Sequence, residues 1–238
     1  MEYTEHDLYK GVSYIWNNAH IEYSHHTKRG TLLEMIRRPK WGVACYMDSC
    51  VQSCEIDEAM YHEGLVQPLF SEVDIVPRTA CILGGGEGAT AREVLKCPTI
   101  EYVKMIEWDH EVVDIFRNMY PQWAQGAWDD KRLVIEYDDA FTVCQQERTF
   151  DIVVVDLFDP NESDFHSWAF LIECVAGWAQ KGISIYCGMN DIFSSGPDTI
   201  VHRTKKLLET IGFTYVDIQK KYIPSFNGEA LFVIGFRT

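Results

Sequence analysis

Between residues 80 and 160 four apolar runs in succession each end on, or just before, a carboxylate, and this constrains the fold more than any other feature. The first run, 80–83, enters Gly84-Gly85-Gly86-Glu87-Gly88 and leads into a helical pattern over 89–96 that stops near Pro98. The second, 102–106, ends on Glu107 and is followed by an amphipathic pattern over 111–120. The third, 133–137, ends on Asp138 and Asp139. The fourth, 152–155, is a continuous apolar run typical of a strand buried on both faces, and it ends on Asp156 with Asp159 close behind. Helical patterns over 168–179 and 201–211, with extended ones over 183–187, 215–218 and 231–234, continue the alternation. Parallel strands need a long crossover between them, so this order predicts an α/β protein with a doubly wound sheet, its ligands at the carboxyl ends of the strands.

The chain before residue 71 reads differently. Residues 31–56 alternate short apolar and polar stretches, with turn signals at Pro39-Lys40 and Asp48-Ser49, as in hairpins. A helical pattern then runs through Met60, Tyr61, Leu65 and Leu69 and closes at Pro77. The expected division is a small N-terminal β-rich domain with a linking helix over 1–70, and a Rossmann-like catalytic domain over 71–238. A chain of 238 residues can bury one principal core. No apolar run approaches the ~18 residues of a membrane span, and the first ten residues are too polar for a secretory signal, so a cytoplasmic protein without membrane association is expected. The net charge of −15 repels nucleic acid and draws in cations. Cys45, Cys50 and Cys54 lack the paired two-residue gap of a zinc knuckle, so the eight cysteines are read as reduced thiols with no metal. His25 and His26 are read as solvated, and Trp123, Trp128, Trp168 and Trp178 as core or interface residues.

Strand-end acids can simply cap the helices that follow. Four on one rim point instead to a shared site. Glycines 84, 86 and 88 fit a dinucleotide loop, and Glu107 has the spacing of its ribose-binding acid. A pyrophosphate resting there would meet Glu87, and like charges ~4 Å apart repel by several kcal/mol at intermediate dielectric. A phosphate-free nucleoside fits better: Glu107 could accept from the ribose hydroxyls and Asp139 from the adenine amino group. Glu87 would oppose the carboxylate tail of AdoMet but bind the bare ammonium of its decarboxylated form. Of Asp156 and Asp159, one could take a proton from an attacking ammonium while the other holds the amine.

The run from Ile82 to Lys96 resembles the glycine-loop signature of the spermidine, spermine and thermospermine synthases. Tyr46-Met47-Asp48, Val51-Gln52, Asp57-Glu58 and Tyr61-His62-Glu63 are similar to the family's N-terminal pattern, in order. Phe150 to Asp156, leading into Asp159-Pro160, resembles its catalytic segment, and Ile223-Pro224-Ser225-Phe226 its acceptor-side motif. The likeness spans residues 41–235. It implies a Rossmann-like fold of the AdoMet-methyltransferase type and transfer of an aminopropyl group from decarboxylated AdoMet to a polyamine, releasing methylthioadenosine. Asp156 would be the general base, with Asp159 and Tyr61 on the acceptor amine. His62 and Glu87 would grip the aminopropyl end, Glu107 the ribose, and Asp139 with Ala140 the adenine. Gln52, Gly84, Gly85, Gly86 and Leu157 would complete the donor side. No tightly bound cofactor and no metal are implied, and a homodimer or homotetramer is expected.

Glu87 with Ala89, Leu157 and Phe226 resemble the thermospermine-type branch. Asn161-Glu162-Ser163 stands where the family often continues Gly-Pro, and Cys187 where a glutamine often ends the fifth strand. Two other readings share these residues: an AdoMet-dependent methyltransferase, and an inactive homologue acting as a binding or regulatory subunit.

Overall fold

A computed structural model of the chain describes residues 1–7, 11–71, 76–190 and 199–237. It opens with an antiparallel pair, β1 (Tyr3–Asp7) and β2 (Val12–Trp16). A four-stranded antiparallel meander follows: β3 (His20–His26), β4 (Leu32–Arg38), β5 (Gly42–Met47) and β6 (Cys50–Cys54). The β5–β6 connection is a two-residue turn with positive φ at both Asp48 (50°) and Ser49 (65°), the geometry that suits the twist of a tight hairpin. Neither β1, β2 nor β3 is apparent from the sequence pattern, which places hairpins over 31–56 alone. Their residues are mostly polar, and of β1 and β2 only Tyr3 and Glu5 are buried among the side chains described.

Helix α1 (Glu58–Val66) runs into a 3-10 turn, Gln67–Phe70, and the chain then alternates. The order is β7 (Thr79–Gly84), α2 (Ala89–Leu95), β8 (Tyr102–Glu107), α3 (His110–Met119), β9 (Leu133–Tyr137), α4 (Ala140–Val143) and β10 (Phe150–Asp156). It continues with α5 (Phe165–Trp178), β11 (Ala179–Met189), α6 (Ile200–Ile211), β12 (Tyr215–Ile223) and β13 (Gly228–Phe236). The sheet order is β12-β13-β11-β10-β7-β8-β9; β11 through β9 are parallel, and β13 lies antiparallel between β11 and β12. Apolar residues on both faces of β7 and β10 place these strands at the centre, where helices cover each side.

One face packs Trp168, Leu171, Ile172 and Val175 of α5 on Val153, Val155, Ile183 and Ile185. The other packs Leu65 of α1 and Val94 of α2 on Ile82, Val154 and Phe232. Each fully buried aliphatic side chain of this kind contributes roughly 1.5–3 kcal/mol. The meander packs Leu33, Met35, Val43 and Cys45 against Val112, Phe116, Tyr120 and Trp123. Strands β12 and β13 pair over nine residues each, well beyond the extended patterns at 215–218 and 231–234. The excess of β12 is edge strand carrying exposed Lys220, Lys221 and Tyr222, a composition that hides it from hydropathy and protects the edge. Among the described residues no disulfide links the eight cysteines, and no helix is long and apolar enough to cross a membrane.

Candidate active site

The glycine loop closes down on its neighbours because two of its positions exclude a side chain. Gly84 ends β7 opposite Asp156 with φ +84°, and a Cβ there would lie 1.9 Å from the Asp156 carbonyl oxygen. Gly88, at φ +81°, precedes α2, and a Cβ there would lie 2.3 Å from the Trp128 indole. Both conformations belong to the left-handed region that glycine enters freely. At Gly86 the space a side chain would take is bounded 3.0 Å away by Glu107 Oε2, so the Glu107 carboxylate lies directly on the loop.

The carboxylates of the rim converge. Tyr61 donates to Asp156 Oδ1 at 2.8 Å, and the Thr90 hydroxyl donates to Oδ2. Glu87 forms an ion pair with Nε2 of His62, whose Nδ1 donates to Glu58 Oε2 at 3.0 Å and to the Glu58 main-chain oxygen at 2.6 Å. Glu107 Oε1 accepts from the Asp109 amide at 3.0 Å. Asp139 caps α4 by accepting from the Phe141 amide at 2.9 Å, beside buried Ala140, while the Asp138 amide reaches the Glu107 carbonyl at 3.2 Å. Leu157 closes on Gly84, and Asp159 lies against Gly188 at the end of β11.

Electrostatics link the same groups. Burial drives Glu107 up to about 7; amide donors oppose the shift, and Asp109 and Asp156 add to it. Burial also raises Glu87, against the pull of His62 and with a push from Asp156. Burial would lower His62, but Glu87, Glu58 and Asp156 together hold it up at about 10. Tyr61 stays well above the ordinary phenol range through burial and the charges of Asp156 and Asp159, so its hydroxyl remains a donor.

Of the residues expected at the site, Tyr61, His62, Gly84, Gly85, Gly86, Glu87, Glu107, Asp156, Leu157 and Asp159 are linked by the contacts and charges above, while Asp139 and Ala140 open α4 beside the Asp138–Glu107 backbone bond. Gln52 is exposed, and its amide donates to the Cys50 carbonyl on its own strand. The cause is a bulge: Cys45 pairs with Ser53 and Tyr46 with Val51, so Gln52 is the extra residue and falls out of the alternation.

Several participants went unread in the sequence. Thr90 reaches Asp156 from the first turn of α2. Arg92 grips Glu58 through two 2.9 Å bonds and holds Glu93 at 2.8 Å; all three side chains are buried. The spacing of Glu58 and His62, one helical turn apart, is the one signal that could have pointed to this layer. Around Tyr61 stand Tyr186 (ring centroids 5.3 Å apart), Phe232 (5.5 Å) and Phe226 (5.9 Å). The Phe226 loop is pinned by the Ser225 amide donating to Asp57 Oδ2 at 2.6 Å.

Comparison with known proteins agrees with this geometry. A sequence model of the spermine/spermidine synthase domain matches residues 58–237. The chain is 33% identical over 204 residues to a polyamine aminopropyltransferase of Pyrobaculum neutrophilum, covering 82% of this chain and 68% of that protein. It is 33% identical over 209 residues to one of Aeropyrum pernix (85% of this chain, 65% of that protein). It is 44% identical over 124 residues to polyamine aminopropyltransferase 1 of Hyperthermus butylicus (50% and 42%). The matched segments thus span between 42% and 68% of these relatives' lengths. The fold superposes on spermidine synthase from Thermotoga maritima with a TM-score of 0.83 at 20% identity, over all of this chain and 80% of that one. A spermidine synthase in complex with the transition-state analogue AdoDATO gives 0.85 at 21%, with the same coverage. From its glycine loop to its last strand, the chain belongs to the spermine/spermidine synthase family.

Proposed function

We propose that this protein is a polyamine aminopropyltransferase, moving the aminopropyl group of decarboxylated AdoMet to a diamine or polyamine and releasing methylthioadenosine. The observation that carries the reading is the convergence of Asp156, Glu87 and Glu107 on one glycine loop, with Tyr61 hydrogen-bonded to Asp156 at 2.8 Å. A ring of acids around a glycine loop suits a cationic nucleoside better than a phosphate.

In this reading Glu107 accepts from the ribose, Asp139 with Ala140 reads the adenine, and Gly84, Gly85, Gly86 and Leu157 wall the nucleoside. Glu87 with His62 takes the aminopropyl end. Asp159 and Tyr61 hold the acceptor amine, and Asp156 accepts its proton. The nitrogen lone pair forms the new N–C bond as the C–S bond breaks, its electrons staying on sulfur and converting sulfonium to neutral thioether. The sulfonium is already an activated leaving group, so what the protein adds is positioning and proton removal. The reading includes a cytoplasmic location, no tightly bound cofactor, a homo-oligomer, and a division near residue 70. Glu87, Ala89, Leu157 and Phe226 favour the thermospermine-type branch within it.

The test is incubation with decarboxylated AdoMet and a panel of amines from putrescine to spermine, read by mass spectrometry. Methylthioadenosine and one elongated amine are expected in equal amounts. Methylated amine from AdoMet would replace this reading with a methyltransferase. Methylthioadenosine binding with no turnover of any amine would replace it with an inactive, regulatory homologue.

A further inference from the structure

His62 is 1% exposed and sits between two carboxylates. Both oxygens facing Nδ1, the Glu58 carboxylate and the Glu58 carbonyl, can only accept, so Nδ1 carries a hydrogen. On the other side Nε2 is in contact with Glu87 Oε1. Nε2 makes no aligned hydrogen bond, but a bare nitrogen lone pair this close to a carboxylate oxygen would repel, so the pair holds a second proton. On whichever of the two groups that proton sits, Glu87 and His62 together are neutral. Glu58 is itself fixed by the two-pronged grip of Arg92, so the imidazole has one orientation.

A neutral pair is a poor receptor for an ammonium. We propose that the donor's ammonium replaces the shared proton, so that donor binding discharges one proton from the Glu87–His62 pair, with Glu58 and Arg92 as the positioning residues that hold His62 for the exchange. This rests on the aminopropyltransferase reading and adds to it an electrostatic device for selecting a cationic tail. The groups facing the pair are Asp156 from β10, Cys45 from β5, Tyr61 from the same helix, and Arg92 with Glu93 from α2. Cys45 and Tyr61 are pushed well above neutrality by burial and stay uncharged. Asp156 and Glu58 favour the protonated ring before the donor arrives, and His62 is accordingly held up at about 10. A cation bound beside the pair favours its deprotonated form, so donor affinity rises with pH, by up to about tenfold per pH unit, while the free pair still holds its proton.

Titration calorimetry at about pH 8.5 in two buffers of different ionisation heat, Tris and EPPS, measures the protons released. Decarboxylated AdoMet is expected to release nearly one proton per molecule bound. Methylthioadenosine, which has no ammonium, is expected to release none. Glu58→Gln removes an anion that supports the imidazolium and should reduce the release by more than half; His62→Gln should abolish it. Tight donor binding with no proton release, or full release in His62→Gln, overturns the exchange while leaving the function reading in place. Failure of the donor to bind where methylthioadenosine binds overturns both.

Discussion

Replacing Asp156 with Asn keeps the side chain's shape and removes its ability to accept a proton. The structure sets the consequences apart. Two hydroxyls, Tyr61 and Thr90, donate to the two oxygens of Asp156, and Asn has one acceptor oxygen, so one of the two bonds is lost at a cost of about 1 kcal/mol. Against this, removal of the Asp156 charge relieves the buried Glu87 and Glu107, both of which it pushes up. The two effects oppose, and net stability should change by less than about 1–2 kcal/mol. Turnover has no such compensation. A positioned general base is worth typically 10²–10⁴ in rate, or about 3–5 kcal/mol of barrier. Product formation under saturating donor and amine, followed by mass spectrometry, should fall by that factor. Methylthioadenosine affinity, measured by calorimetry, should stay within about threefold, because an uncharged nucleoside gains little from Asp156. Retention of turnover within tenfold, or loss of nucleoside affinity in step with turnover, would refute the assignment of Asp156 as base.

Glu107 rises from 4.5 to about 7, so the folded state holds its proton more tightly than the unfolded state does. Its contribution favours folding at low pH and is lost as pH rises from about 4.5 to 7, by about 3 kcal/mol. Urea unfolding at pH 5 and pH 7.5 should show this fall shrinking in Glu107→Gln; an unchanged difference contradicts it. Gly88→Ala forces a left-handed residue and a methyl into the Trp128 indole, and should cost about 2–5 kcal/mol in the same assay. Arg92→Met leaves Glu58 and Glu93 buried without their guanidinium and should cost about 3–5 kcal/mol, whereas a loss below 1 kcal/mol would mean that the carboxylates are rehydrated.

The parallel sheet was legible because each of its central strands is an apolar run with a carboxylate at its mouth. The long crossovers and the ligand edge follow from that pattern together with the rules of parallel pairing. The rim acids were legible for the same reason, since a strand's carboxyl end is a fixed place in space. What hydropathy could not reveal is polar burial. Glu5 and Arg38 are charged, yet both are buried: Glu5 accepts from Trp16 and Tyr46, and Arg38 stacks 4.1 Å from the Trp16 ring. The first hairpin is therefore held by a polar cluster, and alternation carries no trace of it. Gln52 shows the converse: it stands at a one-residue bulge that no local propensity announces. The Glu58–Arg92–Glu93 layer joins two helices 34 positions apart, a distance over which spacing has no meaning.

The insertion of β13 between β11 and β12 has a consequence for biosynthesis. While the ribosome is still extending the chain, β11 has one side open, its amide and carbonyl row waiting for a segment roughly forty residues downstream. The Ser225 amide that secures the wall around Tyr61 comes 168 positions after the Asp57 that receives it. The wall around Tyr61 is thus complete only once the turn at Ser225 and strand β13 have been made, and a nascent chain stalled ahead of β13 would expose a sticky sheet margin.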